Sequence, residues 1–107
     1  MSKLKRGQIV LVRFPFVDEG KTKIRPALVL EDTMDDDVLV CRITGQFHKS
    51  PFDININDWK KSGLLMPSVI RVHKIATIDK TLIRKAIGLL EPDTVMEVNN
   101  RLQLLIQ

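Results

Sequence analysis

Arg25 stands directly before Pro26, where the basic run Lys21-Thr22-Lys23-Ile24-Arg25 enters the apolar run Ala27-Leu28-Val29-Leu30. Proline removes one backbone donor and pushes the preceding residue toward an extended backbone. An arginine held this way at the mouth of an apolar strand has a set direction, and its planar guanidinium suits bidentate contact with phosphate. The plainer reading is a solvated turn. A second pattern is Arg42-Ile43-Thr44-Gly45-Gln46. Strand alternation puts Arg42 and Thr44 on one face and Cys41 and Ile43 on the other. Gly45 lets a second backbone or a ligand approach, although a threonine at a strand end is commonly a plain cap. A third is Ser68-Val69-Ile70-Arg71-Val72-His73-Lys74, in which Arg71 and His73 alternate onto one face. Arg71 and Lys74 crowd positive charge around the imidazole, which makes His73 a candidate proton acceptor; a lone histidine is more often structural or exposed.

Other familiar chemistry is missing. There is no glycine-rich phosphate loop, no paired-cysteine metal spacing and no HExxH. The serines are Ser2, Ser50, Ser62 and Ser68, and none makes a nucleophile with a histidine and an acid that could be argued from spacing. Cys41 lies inside an apolar run and reads as a small core residue, because apolar burial raises a thiol pKa.

The elements that must position these residues are mostly strands. Residues 8–14, 26–31, 37–43 and 68–72 are short apolar runs bounded by turn residues, the pattern of strands buried on both faces. Asp18-Glu19-Gly20 and Asp35-Asp36-Asp37 mark turns between the first three. Those strands lie too close together for helical crossovers, so they are expected to pair antiparallel. Ile54 and Ile56 suggest an edge strand, residues 58–61 one helical turn, and residues 85–89 a further strand in which Gly88 argues against a helix. Pro92 and Asp93 open an amphipathic helix over 92–105, with Val95, Val98, Leu102, Leu105 and Ile106 at helical spacing. The expectation is a mainly β domain with a C-terminal helix, its sheet strongly bent or closed into a small barrel. The helix stripe must bury itself on that barrel or on a second copy.

The chain has 107 residues, room for one domain (1–107), and a single cysteine, which excludes an internally disulfide-stapled scaffold. No apolar run approaches the ~20 residues of a membrane span, and the N-terminal run Ile9–Val12 is too short for a signal segment, so a reduced, cytoplasmic setting is expected. The net charge of +4 conceals an alternation: residues 1–25 carry seven basic and two acidic groups, 26–58 two and seven, 59–90 seven and one, 91–107 one and three. If the two basic blocks meet in space they form one anion-binding surface. The bland alternative is that these charges only solvate strands and turns. Phe14, Phe16, Phe47 and Trp59 could stack bases, although each is more often a core residue.

Taken together, "RGQIVLVRFPF", "KIRPALVL", "CRITG", "GLLMPSVIRVHKIATIDKTLI" and "IGLLEPDTVMEVNNRLQLLI" resemble the MazF/PemK family of toxin endoribonucleases, in order and over nearly the whole chain. The resemblance implies an SH3-like (CcdB/MazF/PemK-like) barrel with a C-terminal helix, a homodimer, and cleavage of single-stranded RNA (mRNA) across the dimer groove without metal or other cofactor. It also implies a cognate antitoxin as partner. The family's catalytic arginine before Pro and threonine after Ile fall on Arg25 and Thr44. Where PemK-like members carry Arg-x-Asp, this chain has Arg71-Val72-His73. Gln8 replaces a common acid, and the first loop, 16–24, is short. RNA brings its own nucleophile, the 2′-OH, so the protein must stabilise the phosphorane and move two protons. Arg25 is assigned the charge, Thr44 a nonbridging oxygen, and His73 the general base, with a neighbouring carboxylate or water as alternative. Lys21, Lys23, Gln46, His48, Arg71 and Lys74 complete the expected RNA contacts. The rival expectation is a non-catalytic toxin-fold protein that binds nucleic acid, gyrase or an antitoxin.

Overall fold

In a computed structural model, residues 3–15 and 22–107 are described. Six strands form one antiparallel sheet: β1 (Gln8–Pro15), β2 (Thr22–Asp32), β3 (Asp37–Thr44), β4 (Asp53–Ile56), β5 (Ser68–Asp79) and β6 (Ile83–Leu89), in the order β4-β5-β3-β2-β1-β6. A 3-10 turn (Lys80–Leu82) joins β5 to β6, and helix α1 (Pro92–Ile106) ends the chain. The mainly β fold with a C-terminal helix is as the sequence predicts, and β1, β2 and β3 pair antiparallel as expected. The Asp18-Glu19-Gly20 turn lies outside the described residues. Residues 58–61 lie in a run of turns in which the Ser62 N–H donates to the Asp58 carbonyl at 3.1 Å, a single helical-type turn as expected.

The continuous apolar runs have a simple cause: the central strands are buried on both faces. On one side Ile9, Leu28, Cys41, Ile43, Ile70 and Val72 pack with Val98 of α1. On the other, Val10, Val12, Ala27, Val29, Val38 and Val40 pack with Leu4 and Ile78. Helix α1 begins with proline in its first turn beside Asp93, whose charge suits the helix N-terminus. Its stripe lies on this chain's own sheet through Val95, Val98, Leu102 and Leu105, whereas Ile106 is 83% exposed.

β5 is much longer than the apolar core Val69–Val72 suggests. Its second half, 75–79, pairs with 37–41 of β3, while Arg71 pairs with Arg42. Three residues of β5, Val72 to Lys74, therefore stand against a single step of β3, a wide bulge. The Val72 N–H is satisfied by the Phe52 carbonyl (3.1 Å) instead.

Two glycines bring the outer strands together. A Cβ on Gly88 would overlap the Ser62 carbonyl, and one on Gly63 would overlap the Ile87 carbonyl; Gly63 also has φ +84°. The backbone of the β4–β5 connection thus lies directly on β6, an approach only glycine permits. This contact frames one end of the sheet, where the candidate residues collect.

Candidate active site

The β2–β3 ladder begins at Ala27↔Arg42. The residue before Ala27 is Pro26, which has no N–H to donate. Continuing the same register by two residues sets Arg25 level with Thr44, but there the strands part, and both residues line a groove of ≈ 700 Å³. Pro26 does here what the sequence implies: it ends a ladder and leaves an arginine facing open space. Leu11, Pro26, Ile43 and Leu64 contribute apolar lining, and Ile24, Leu65 and Met66 are partly to almost wholly exposed around it. The Met66 thioether packs where a Gly45 side chain would be, so the small residue after Thr44 seats one wall.

Thr44 is half-buried, and its Oγ1 accepts the Gln46 N–H at 3.1 Å. A hydroxyl that accepts one such bond still has its own O–H to donate. Among the described residues the charged lining is entirely basic: Arg25, Arg42 and Lys85. All three are exposed, and among the described residues none of them carries an ion pair. Such a groove attracts an anion and offers planar and point-like cations to it.

Arg71 and His73 do not line the groove, although Arg71 is the cross-strand partner of Arg42, which does. Arg71 Nε donates to Asp53 Oδ1 at 2.9 Å, with only 16% and 3% of the two side chains exposed. Burial opposes the Asp53 charge, but the Arg71 bond, with Ser50 and the Arg71 charge, outweighs it and holds the carboxyl below its ordinary value. Arg71 Nη2 also lies 3.4 Å from His73 Nε2. A guanidinium has no lone pair, so Nε2 is the acceptor and the ring proton is assigned to Nδ1. Nδ1 is buried without a hydrogen-bond partner, and the Phe52 ring lies against the imidazole at 5.7 Å.

A family model for the PemK-like, MazF-like toxins of type II toxin–antitoxin systems matches residues 5–106. The chain belongs to that family. Endoribonuclease EndoA of Bacillus subtilis (strain 168) is 28% identical to it over 107 residues, which covers 94% of this chain and 92% of the relative. Among solved structures, a MazE–MazF complex from Deinococcus radiodurans has a TM-score of 0.81 at 19% identity, covering 98% and 97% of the two chains. An endoribonuclease in complex with its cognate antitoxin from Mycobacterial species has a TM-score of 0.74 at 18% identity, covering 92% and 90%. These likenesses establish the fold that the sequence resemblance implied.

Within this family fold, the sequence-based site splits in two. Arg25, Thr44 and Gln46 share the groove. Arg71 and His73 form the separate Asp53-centred cluster and are not brought to the groove lining. Lys23 and Lys74 are exposed, His48 is half-buried, and none of the three lines the groove. Lys21 and Phe16 lie outside the described residues. Cys41 is fully buried and its thiol is pushed up to about 12 by burial, consistent with a core role. Of the candidate stacking rings, Phe14 and Trp59 pack on core clusters, while Phe47 is 76% exposed. Sequence reasoning passed over Arg42, although its alternation with Thr44 was visible, and Lys85, for which position in the chain gave no signal. It also missed Asp53, which looked like one more member of an acidic stretch.

Proposed function

We propose that this toxin is an endoribonuclease that cleaves single-stranded RNA in the Arg25–Thr44 groove by attack of the substrate's own 2′-OH. One observation carries the reading: Arg25 and Thr44 converge on a groove whose charged lining, among the described residues, is cationic. The names of the relatives, endoribonucleases in Bacillus subtilis and Mycobacterial species, support it. In the reaction the 2′-oxygen bonds to phosphorus, the P–O5′ bond breaks, and the products are a 2′,3′-cyclic phosphate and a 5′-hydroxyl. Arg25 neutralises charge growing on the phosphorane, where a preorganised donor acts most strongly. The free Thr44 hydroxyl proton bonds a nonbridging oxygen. The leaving 5′-oxygen takes a proton from water, and the 2′-OH proton passes to water, because the described residues of the groove lining offer no carboxylate or imidazole. The three cations supply the positive charge this chemistry needs, so the reaction is proposed to run without a metal.

The working unit is proposed to be a cytoplasmic homodimer, neutralised by a cognate antitoxin. Solved relatives described as complexes with MazE or a cognate antitoxin support the second point. An antitoxin segment suited to the groove carries acidic residues beside apolar ones, matching Arg25, Arg42 and Lys85 beside Leu65 and Met66. The deciding experiment is incubation of the purified protein with mixed-sequence RNA in EDTA, followed by mapping of the new ends. Cleavage at a defined sequence with cyclic phosphate ends supports the proposal. Intact RNA at enzyme excess overturns it, and binding without new ends would make the chain a non-catalytic RNA binder.

A further inference from the structure

We propose that Lys85 of β6 is a phosphate-binding residue of this groove, holding a backbone phosphate next to the scissile one. The inference rests on the reading of the groove as the RNA site and extends it to a strand that no motif marks.

Register places the residue. Leu11 of β1 has Lys85 opposite it on β6 and Pro26 opposite it on β2. Lys85 is therefore level with the neighbour of Arg25 across two strand spacings, about 10 Å. At that separation two long cationic side chains need not crowd one phosphate; they serve different phosphates of a strand lying across β6, β1 and β2.

Local geometry aims it. The β1–β6 pairing shifts between Ile9 and Val10 and again between Leu11 and Val12, so Ile87 and Arg84 are passed over in the ladder. Bulges bend a strand and redirect its side chains. These two bracket Ala86 and Lys85, and Lys85 lines the groove while Arg84 does not.

Partnering leaves it available. Arg6 holds Glu31, Arg71 holds Asp53 and Lys80 holds Asp32. Lys85 is exposed and, among the described residues, has no carboxylate. A lysine is a compact, rotatable point charge, fitted to a phosphate that does not change geometry; the fork of Arg25 is the better match to the reacting one.

The test uses the RNA site mapped on the wild-type protein, in two forms: cleavable, and blocked by 2′-O-methylation at the scissile nucleotide. Binding of the blocked RNA is measured against salt for wild type, Lys85→Gln and Lys85→Arg. With Arg25, Arg42 and Lys85 on phosphates, the wild-type slope of log K against log[salt] is expected near −2, and Lys85→Gln brings it to about −1.4. The relative affinity loss in 0.1 M compared with 1 M salt is then about five-fold. On cleavable RNA, KM rises while kcat stays within about two-fold, and Lys85→Arg restores both. An unchanged slope in Lys85→Gln, or a fall in kcat at constant KM, overturns the inference. If the wild-type protein yields no cleaved site, the RNA reading itself fails, an outcome separate from the behaviour of Lys85.

Discussion

Two regions of this molecule use charge in opposite ways. On one side, half-buried cations are matched to buried carboxylates: Lys80 Nζ lies 2.7 Å from Asp32 and also donates to the Asp35 carbonyl, and Arg71 grips Asp53. Both carboxylates are nearly or fully removed from solvent. In the groove, Arg25, Arg42 and Lys85 stay exposed and, among the described residues, face no acid. Burying a charge requires a partner, whereas an exposed charge needs none until a ligand arrives. The basic and acidic blocks of the sequence thus resolve in space. The acidic block 26–58 supplies Asp32 and Asp53 to neutralise Lys80 and Arg71 of block 59–90. Arg25, Arg42 and Lys85, from three different blocks, carry no ion pair among the described residues and are gathered at one groove.

The sharpest break of this contrast is Arg25→Ala. It should lower kcat/KM by roughly 10²–10³-fold, the size of one lost electrostatic donor, and leave the melting temperature unchanged because the side chain is exposed. Cleavage rates and a thermal melt on the same preparation check both halves. A large drop in Tm would mean that Arg25 is structural.

The mirror-image change is Asp53→Ala. It leaves Arg71 largely buried without its acid, and breaking such a pair costs about 3 kcal/mol, lowering Tm by something on the order of 15 °C. Below the melting transition, cleavage should stay near wild type, since neither partner lines the groove. Replacing both residues by apolar ones of similar volume should recover much of the loss. If Asp53→Ala abolishes cleavage while the fold persists, the two regions are coupled and the contrast is false.

This division also explains what could be read in the sequence. Strands β1 to β3 were legible because Ile9–Val12, Ala27–Leu30 and Val38–Cys41 must be apolar on both faces. Arg25 was legible because Pro26 states locally that a ladder stops. The second half of β5 was not: Ile75, Ala76 and Thr77 are exposed, and only pairing with β3 makes them a strand. The bulge at Val72–Lys74 also resets the register, so alternation counted from Arg71 does not carry along the whole strand. Asp32, Asp53 and Lys85 were illegible for a common reason. Whether a charged residue is buried, paired or aimed at a groove depends on partners 18 to 48 positions away or on bulges that leave no compositional trace.

A pH titration sharpens the paired side. Asp32 accepts from Lys80 and from the Leu4 and Met34 N–H groups, bonds that lower its carboxyl to about 2. A carboxyl depressed in the folded state adds stability above its ordinary range near pH 4, and that stability is lost as pH falls toward 2. Asp32→Asn keeps the shape but removes the charge. Denaturant unfolding should show a gap between wild type and Asp32→Asn at pH 7 that narrows between pH 4 and pH 2. A gap that is constant with pH would assign the role of Asp32 to packing rather than to charge.

The smallest effect is expected where family resemblance pointed to the largest. His73 stands where PemK-like members carry an acid, yet its Nε2 faces Arg71 and its Nδ1 is buried. To take a proton from a 2′-OH it would have to release Arg71 and reach a groove that it does not line. His73→Asn should therefore change kcat by no more than about three-fold and leave the acid limb of the pH–rate profile in place. A general base normally contributes ~10²–10⁴-fold, so the two possibilities differ by well over an order of magnitude. A fall of 100-fold with loss of that limb would put His73 back in the reaction, and would mean that bound RNA or a second protomer rebuilds the Arg71 cluster into the active site.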